Sequence, residues 1–584
     1  MLPHEARRLT GPNLLSYRPG AVLDVPLGGA AEEGAETEAM IGAWRRQVRR
    51  MLDALGWRDQ ELAVRRFVSG ASLFASAPID ALYTATEVVD WAWEAAGEAA
   101  PDAGAFEAAA ERLRAAAAAE RQPAVLALRD AAAAHGVAFL ADDDRVTVGL
   151  GAGSRTWPRG ELPTPAAVDW AAVHDVPVAL VTGTNGKTTT VRLTAAMLAA
   201  AGRTAGMTTT DYIAVGSTVL DSGDFSGPGG ARTLLRDQRV EAAVLETARG
   251  GLLRRGLALG RVTAAAVTNI AADHLGDYGV EDLAGLAEAK LLVTRTVAPE
   301  GRAVLNADDP ELAARGSRGP SPVTWTSLGP GLGPGLPAAA GVDLAAHLAA
   351  GGDAVLLDGD KLVLARGVGS REVVAALSEV PIAFAGTALY NVANALAAIG
   401  LAAALGVPIE AMAPGLAAVG GDGGEGGEGG ADNPGRGCLM EIDGFQVLLD
   451  YAHNPHGLAA LLGFAASLPA KRRLLLLGQA GDRDDQAIRD LARTAWRLRP
   501  DRVILKELPI MLRGRQPGEV PAILEAELLR LGARREDLAY AATEPEAVRQ
   551  ALSWARPGDL LLLLVHTDRE EAMAMLRRRR AGGP

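Results

Sequence analysis

The sequence predicts an α/β protein of about three domains, in which a helix-rich α+β domain precedes two α/β domains. Residues 1–170 are rich in alanine and mostly show the pattern of helices. From Val176 onward, short apolar strands alternate with amphipathic helices, and this alternation restarts after a glycine-rich segment at residues 420–435. Such alternation is typical of parallel sheets that are covered by helices.

The first 170 residues form the predicted N-terminal domain. Residues 41–55 and 105–119 have the periodicity of helices, whereas residues 138–150 read as short extended pieces followed by a proline-marked connection. This part of the chain contains neither a phosphate-binding loop nor an acid–base cluster. We therefore interpret it as a scaffold or docking domain.

Residues 171–419 form the predicted central domain. Its first strand, VPVALVTG, ends in glycine, and the next segment, KTTTVRLTAAMLAAAG, is an amphipathic helix with a glycine stop. Further strands are expected at 242–246 and 264–268, with a helix at 283–297. A helix at 388–405 is expected to end the domain.

Residues 436–584 form the predicted C-terminal domain, which a flexible linker at 420–435 joins to the central one. The strands QVLLD, RRLLLLG, RVILK and DLLLLLV alternate with helices at 485–497, 518–531 and 545–554. This pattern predicts a Rossmann-like domain, but no G-x-G-x-x-G follows the first strand, so a dinucleotide is not implied.

Composition excludes several classes of protein. A net charge of −13 argues against a nucleic-acid-binding surface. Cys438 is the only cysteine, which excludes an internal disulfide and a cysteine-built metal site. The sequence has no uninterrupted apolar run of about 18 residues, so it predicts no membrane span. The first residues do not resemble a secretory signal. A cytoplasmic protein is expected.

The motif G-T-N-G-K-T lies directly between the first central strand and its helix, and it is a shortened phosphate-binding loop. Its glycines allow backbone N–H groups to close around phosphate oxygens, while the helix N-terminus adds positive potential. Lys187 is expected beside the β- and γ-phosphates, and the Thr188 hydroxyl is expected on Mg²⁺. The motif predicts ATP binding by Gly183, Thr184, Asn185, Gly186, Lys187, Thr188 and Thr189.

This sequence motif resembles that of the Mur ligase superfamily, and the resemblance implies a Mur ligase-like central P-loop ATPase domain. Glu246 of LETARGG matches a glutamate that binds metal in that family, and His274 of TNIAADHLG matches the family's ligand of a second magnesium. Lys290 matches a lysine that many members carry as a carbamate. With Lys187 these residues make the expected catalytic set, and Thr188, Glu246, His274 and carbamylated Lys290 the expected metal ligands. Further ATP contacts are implied for Asn269, Asn391, Asn394, Arg436, Asp450 and His453.

The resemblance implies an ATP-dependent ligase that converts a carboxylate into an acyl phosphate and couples it to an amine, releasing ADP and phosphate. A carboxylate is repelled by the negatively charged nucleotide. Two magnesium ions, Lys187 and the loop amides would offset this repulsion and stabilise the transferring phosphoryl group.

Within the superfamily, the segment from Thr208 to Leu275 and the phrases AGDRDDQAIRDLA and LRGRQPGE are similar to the cyanophycin-synthetase branch. That branch has an ATP-grasp domain before its Mur-type module, but here only residues 146–176 separate the two regions. The resemblance therefore implies side-chain ligation without backbone extension. It also implies a separate ATP-grasp enzyme that makes the acceptor, an amino acid or related amine as second substrate, and a homo-oligomer.

Substrate contacts are expected mainly in the C-terminal domain. Acidic Asp482, Asp484 or Glu507 suit a cationic amine, and arginines suit carboxylates. The full set of candidates is Thr209, Asp211, Asn454, Asp482, Arg483, Lys506, Arg513 and Arg515. Two alternatives stay open: a poly-γ-glutamate or folylpolyglutamate type of ligase, and an ATP-binding scaffold without catalysis.

Overall fold

A computed structural model describes residues 6–26, 33–97, 103–329, 341–420 and 435–582. The predicted linker at 420–435 lies almost wholly outside these residues. Within them, no helix is both long and apolar enough to cross a membrane.

The described residues of the N-terminal region form a four-stranded antiparallel sheet, a three-stranded sheet and four α-helices. In the larger sheet the order is β1-β2-β4-β3, and the smaller consists of β5-β6-β7. In chain order the elements are β1 Arg7–Leu9, β2 Gly20–Pro26, α1 Glu33–Ala54, β3 Leu62–Phe67, β4 Gly70–Ser76, α2 Leu82–Gly97, α3 Ala103–Glu120, α4 Pro123–Ala134, β5 Phe139–Ala141, β6 Arg145–Val148 and β7 Arg155–Pro158. The buried faces of α1, α2 and α3 pack on the larger sheet around Trp44 and Leu73.

The central region is built on one eleven-stranded sheet, ordered β11-β10-β9-β12-β8-β13-β14-β15-β16-β17-β18. Its first half contains β8 Val178–Thr182, α5 Lys187–Ala200, β9 Ala205–Thr208, β10 Tyr212–Val215, β11 Thr218–Ser222, α6 Pro228–Leu235, β12 Ala242–Glu246, α7 Arg249–Arg255 and β13 Val262–Val267. Its second half contains α8 Leu283–Arg295, β14 Val297–Asn306, α9 Pro310–Arg315, β15 Val323–Ser327, α10 Leu344–Ala349, β16 Asp353–Asp358, β17 Lys361–Arg366, β18 Ser370–Ala376, α11 Leu389–Ala404 and α12 Ile409–Ala417.

The strands from β9 through β12, β8, β13, β14 and β15 to β16 run parallel, whereas the strands outside them pair antiparallel. All five residues of β8 are buried, because helices cover both faces of the sheet at its centre. The carboxyl ends of the parallel strands meet at one edge of the sheet, where ligands of open α/β sheets bind.

The C-terminal region has a six-stranded sheet, ordered β19-β20-β24-β21-β22-β23, in which only β19 is antiparallel to its neighbour. Its elements are β19 Cys438–Ile442, β20 Phe445–Asp450, α13 Pro455–Ser467, β21 Arg473–Leu477, α14 Asp485–Ala495, β22 Arg502–Lys506, α15 Glu519–Arg530, β23 Leu538–Ala541, α16 Glu544–Trp554, β24 Leu560–Leu564 and α17 Arg569–Arg580. The parallel strands with helices between them are the Rossmann-like arrangement that the sequence predicts.

Two features differ from the sequence-based prediction. The central sheet is mixed rather than purely parallel, because hairpins extend both of its edges. The helix predicted to end the domain, α11, is followed by α12, which packs on α5 through Gly415. A Cβ at Gly415 would lie 2.4 Å from the Met197 backbone, so this close approach needs glycine.

Candidate functional site

A cleft of about 1720 Å³ lies at the carboxyl ends of the central parallel strands and is closed on its other side by the C-terminal region. The strand order places four groups along it. Glu246 is the last residue of β12, the phosphate-binding loop follows β8, His274 follows β13, and Asp309 follows β14. The cleft therefore runs from β12 to β14 across the loop.

The phosphate-binding loop is fixed by residues that follow the neighbouring strand β13. The Asn185 N–H donates to Asn269 Oδ1 (2.9 Å), and the Thr184 N–H donates to the Asn269 carbonyl (3.0 Å). A Cβ on Gly183 would lie 1.9 Å from Thr268 Oγ1, and Gly186 has a φ of +86° directly before α5. Both glycines are thus required by the local geometry.

Glu246 is a buried carboxylate that forms no direct ion pair with a basic side chain of the described residues, although its charge interacts with that of Arg436. Its Oε2 accepts hydrogen bonds from Thr188 Oγ1 (2.8 Å) and from the Thr210 N–H (3.3 Å). Its side chain lines the cleft at only 2% exposure. A buried carboxylate beside the hydroxyl of a phosphate-binding loop fits Mg²⁺, which takes one or two protein ligands and fills its other positions with water and phosphate oxygens.

Lys290 is a buried amine at the cleft wall. It is 4% exposed, and the described residues provide no hydrogen-bond or ion-pair partner for its Nζ. Burial, together with the charge of Lys187, holds the pKa of Lys290 well below its usual value. The lowered pKa favours the neutral, nucleophilic form of the amine.

His274 has a left-handed backbone (φ 53°), and its two ring nitrogens face Arg483 of the C-terminal region at 2.7 and 2.6 Å. Burial lowers the pKa of His274 to about 4, and the charges of Arg483 and Arg249 act in the same direction. In this arrangement the ring accepts from a guanidinium, so metal ligation requires Arg483 to withdraw. Among the described residues, no group of three or more His, Cys, Asp or Glu side chains is arranged around a metal position.

Asp273 links the two regions across the cleft. Burial opposes its ionisation, but a hydrogen bond and the charge from His453, together with the charge of Arg483, hold the pKa of Asp273 well below its usual range. Arg483 Nη2 donates to Asp273 Oδ1 at 2.9 Å. A second bridge joins Asn185 of the loop to Asn454, whose amides exchange hydrogen bonds of 3.2 and 3.0 Å.

The polar residues of α11 lie on the β14 side of the loop. Asn394 Nδ2 donates to Asn391 Oδ1 (3.2 Å), and a Cβ on Gly186 would lie 2.0 Å from Asn394 Oδ1. Both asparagines line the cleft next to Tyr390, together with Asp450 from the end of β20. Burial raises the pKa of Asp450. This end offers amides and an apolar ring face to a planar base.

Asp211 lies outside the cleft lining and is surrounded by arginines. Arg192 of α5 contacts its Oδ2 at 2.7 Å, Arg436 its Oδ1 at 3.5 Å, and Arg569 at the start of α17 also bonds to Oδ1. Burial opposes its ionisation, but the charges of these arginines hold the pKa of Asp211 well below its usual range. Arg436 and Arg569 both lie over the Tyr451 ring. Asp211 therefore forms an ionic contact between the two regions.

Lys506 is completely buried below the cleft rather than exposed to it. It forms an ion pair with Glu544, and its Nζ lies 3.2 Å from His566 Nδ1. Glu544 also accepts from the N–H groups of residues 566, 567 and 568, and therefore fixes the loop before α17. The charge of Lys506 offsets the effect of burial and lowers the pKa of Glu544 to about 2.

The structure brings only some of the predicted substrate residues to the cleft. Asp482, Arg483 and Arg513 line it, and Arg513 bonds to Asp482. Arg515 instead holds the turn that carries them, through the carbonyls of Gly481 (3.1 Å) and Arg483 (2.7 Å). The other members of the predicted set are outside the cleft lining: Thr209, Asp211, Asn454 and Lys506.

The N-terminal region supports the β12–β13 side of the cleft. The Phe67 ring packs on Gly279, where a Cβ would lie 2.3 Å away, and Arg65 Nη1 donates to the Gly279 carbonyl at 2.8 Å. The Thr10 N–H donates to the Arg255 carbonyl at the end of α7 (2.8 Å). These contacts fix both α7 and the loop after β13.

The chain is similar in sequence to known proteins of one family. A family model described as the Mur ligase middle domain matches residues 181–330, and one described as the Mur ligase, glutamate ligase domain, matches residues 435–564. The chain is 31% identical over 404 residues to the UDP-N-acetylmuramoyl-L-alanyl-D-glutamate–2,6-diaminopimelate ligase of Chlorobaculum tepidum, which covers 66% of this chain and 70% of that protein. The chain belongs to the Mur ligase family.

This Mur ligase family chain is also 33% identical over 391 residues to a cyanophycin synthetase of Trichormus variabilis, which covers 67% of this chain and 41% of that protein. The chain thus spans less than half the length of the cyanophycin synthetases that it matches. A structure of E. coli FolC in complex with DHPP and ADP overlaps 70% of this chain and 89% of that chain, at 20% identity and a TM-score of 0.48. The predicted family and fold class are confirmed by the family models.

Sequence reasoning on this Mur ligase missed four cleft or interface residues, namely Arg249, Tyr451, His456 and Arg569. Arg249 and His456 had a usable signal. Each lies within three residues of a predicted functional residue, at a strand end or a helix start, where parallel strands deliver side chains to one edge. Arg569 had none, because its partner Asp211 is 358 positions away in the chain.

Proposed function

We propose that this chain is an ATP-dependent amide ligase that activates a carboxylate as an acyl phosphate and couples it to an amine. The observation that carries the proposal is the phosphate-binding loop whose Thr188 hydroxyl meets the buried Glu246 carboxylate at 2.8 Å. This pair, with Lys187 beside it, lies in a cleft between two α/β regions. Such a site suits the transfer of a phosphoryl group away from water.

The reaction has two steps. A carboxylate oxygen attacks the γ-phosphorus, the bond from this phosphorus to the β,γ-bridging oxygen breaks, and ADP leaves. The amine nitrogen then attacks the acyl carbon, the carbon–oxygen bond to phosphate breaks, and phosphate leaves while the nitrogen loses a proton. Phosphate is a competent leaving group, so the second step needs no nucleophilic side chain.

The residues of the loop side supply charge and position. Lys187, whose Nζ donates to the Thr184 carbonyl at 3.1 Å, has an ammonium that suits the β- and γ-phosphate oxygens. Thr188 and Glu246 would hold one Mg²⁺. When bound, Mg²⁺ neutralises phosphate charge and polarises the transferring group. Asn391 and Asn394 would hold the base at the other end.

Lys290 supports carbamate formation. The neutral form of its amine, which the lowered pKa favours, can attack CO₂, forming a nitrogen–carbon bond and releasing one proton, and the product is a carboxylate-like anion at the cleft wall. With His274 this anion would provide a second magnesium site once Arg483 withdraws. Mass spectrometry cannot retain a labile carbamate, so ¹³CO₂ NMR of the wild type and of Lys290→Ala is the direct test.

The acceptor and the amine are proposed from the cyanophycin-synthetase resemblance. We infer an acid with a free side-chain carboxylate as acceptor and an amino acid or related amine as nucleophile, with a separate ATP-grasp enzyme as the source of the acceptor. Asp482 and Arg513 at the C-terminal wall suit the ammonium and carboxylate of an amino acid. Homo-oligomerisation is part of the same proposal.

The test is ADP release and product mass spectrometry with ATP, Mg²⁺, pooled amino acids and β-aspartyl peptides. A new amide product with stoichiometric ADP is expected. Lys187→Ala should weaken nucleotide binding about 100-fold, because it removes charge-assisted hydrogen bonds. The matched control is Lys361→Ala, which removes an exposed lysine of β17 and should leave binding unchanged.

The outcomes separate the alternatives. Glutamate addition would favour a poly-γ-glutamate or folylpolyglutamate type of ligase. Nucleotide binding without substrate-stimulated ADP release would indicate a scaffold without catalysis. Equal nucleotide binding by the wild type and Lys187→Ala would refute the site itself.

A further inference from the structure

Arg249 lies in the wall of the cleft and has one buried guanidinium nitrogen without a hydrogen-bond acceptor among the described residues. It begins α7, three residues after Glu246, and lines the cleft with its side chain 9% exposed. Its Nη2 donates to Asp277 Oδ2 at 2.8 Å. Its Nη1 is buried, and no described residue accepts a hydrogen bond from it.

A buried guanidinium nitrogen without an acceptor is costly, because it has lost its hydration without gaining a hydrogen bond. Asp277 does not remove this cost, since its side chain is 56% exposed and bonds only to the other nitrogen. The shape of a guanidinium matches a carboxylate, which accepts two parallel hydrogen bonds. An anion from the cleft would satisfy Arg249.

The strand order decides which substrate can provide this anion. Asn391 and Asn394 lie on the β14 side of the phosphate-binding loop, where α11 packs on β13 to β16. Arg249 follows β12, on the opposite side of β8. A nucleotide whose base lies beside α11 and whose phosphates lie on the loop therefore points its terminal phosphate towards Glu246 and Arg249. The next ligand beyond that phosphate is the acid.

We propose that Arg249 binds the carboxylate of the acid substrate and orients it towards the terminal phosphate. This inference rests on the proposed ligase function and deepens it. Thr10 and Pro12 of the N-terminal region form backbone hydrogen bonds with the carboxyl end of α7 and with Leu257, just after it. Arg249 is thereby held on a rigid element rather than on a free loop.

The test uses the full-length chain with ATP, Mg²⁺, one saturating amine and an acid panel of succinate, N-acetyl-L-aspartate, N-acetyl-L-glutamate and β-aspartyl dipeptides. Kinetics are measured on the acid that gives the highest rate of ADP release. Arg249→Gln should raise the KM for the acid ~10- to ~100-fold, because it removes a charged hydrogen bond from bound substrate. The KM for ATP should change by less than about threefold, because this contact is not made to the nucleotide.

Three further variants keep the proposal falsifiable. Arg249→Lys keeps the charge but loses the planar guanidinium that can donate two parallel hydrogen bonds. It should raise the KM for the acid by at least about fivefold. Arg255→Gln is the matched control, since it removes the same charge from the same helix outside the cleft lining. Asp277→Asn removes the partner of Arg249 and should change the acid KM less than about threefold, because the guanidinium remains in place.

The proposal is overturned if Arg249→Gln, or Arg249→Lys where the glutamine variant does not fold, leaves the acid KM unchanged. It is also overturned if Asp277→Asn reproduces the full effect, since Arg249 would then only position the loop after β13, or if the KM for ATP rises in parallel. Absence of acid-dependent ADP release in the wild type, with nucleotide binding intact, would instead refute the proposed ligase function.

Discussion

The ionic contact at Asp211 provides a direct test of how the central and C-terminal regions are held together. Replacing Asp211 with asparagine keeps the shape of the side chain but removes the charge that Arg192, Arg436 and Arg569 share. Breaking a buried ion pair costs about 3–5 kcal/mol. The side chains of Arg436 and Arg569 are 18% and 22% exposed, so we expect the lower end, about 3 kcal/mol.

A loss of about 3 kcal/mol corresponds to an increase of roughly 150-fold in local opening. Hydrogen exchange of α17, which begins at Arg569, should therefore accelerate by that order in Asp211→Asn. The matched control is Asp221→Asn, because Asp221 is an exposed residue of β11, in the hairpin that follows Asp211, and among the described residues its side chain bonds only to the Ser222 N–H. Exchange of α17 that is equally slow in both variants would refute the assignment of this contact.

The same reasoning fixes a pH dependence. The folded-state pKa of Asp211 is depressed, so its contribution to stability is fully present above the ordinary aspartate pKa of about 3.9. The contribution is lost as the pH falls below that value towards the folded-state pKa. Faster exchange of α17 in the wild type at pH 3 than at pH 6, after correction for the intrinsic rate, is the expected result.

Three further predictions concern the phosphate-binding loop, His274 and the contact between Phe67 of the N-terminal region and Gly279. Gly186→Ala should abolish nucleotide binding in calorimetry, because a Cβ would lie 2.0 Å from Asn394 Oδ1 at a φ of +86°, and retained binding would contradict the loop geometry. The folded-state pKa of His274 is lowered to about 4. The stability that its neutral form contributes is therefore present above about pH 6.5 and is lost as the pH falls from there to about 4. In His274→Gln, the melting temperature should depend less on pH within that window. Phe67→Ala removes the ring that packs on Gly279 and should lower the free energy of unfolding by about 3 kcal/mol. Hydrogen exchange in the loop after β13 should become faster. Unchanged exchange there would argue that Phe67 does not support this loop.

The sequence by itself determined the parts of the site that are local in the chain. The strand β8, the turn with Gly183 and Gly186, and the helix α5 are contiguous, and each shows its own pattern of apolar residues and glycines. The strands and helices of the C-terminal region were predicted for the same reason. A periodicity of two or 3.6 residues depends only on neighbouring positions, so it can be read without knowing the fold.

Only the tertiary structure decided which of these parts meet. Glu246 reaches Thr188 across 58 positions because β12 lies directly beside β8, an order that crossover connections set and local patterns do not encode. Asp211 and Lys506 were expected at the substrate. Asp211 instead binds arginines that lie 19 and 358 positions away in the chain, and Lys506 is buried beside Glu544. Charges attract any partner that the fold brings near, so the role of a charged residue follows from packing rather than from its place in the chain.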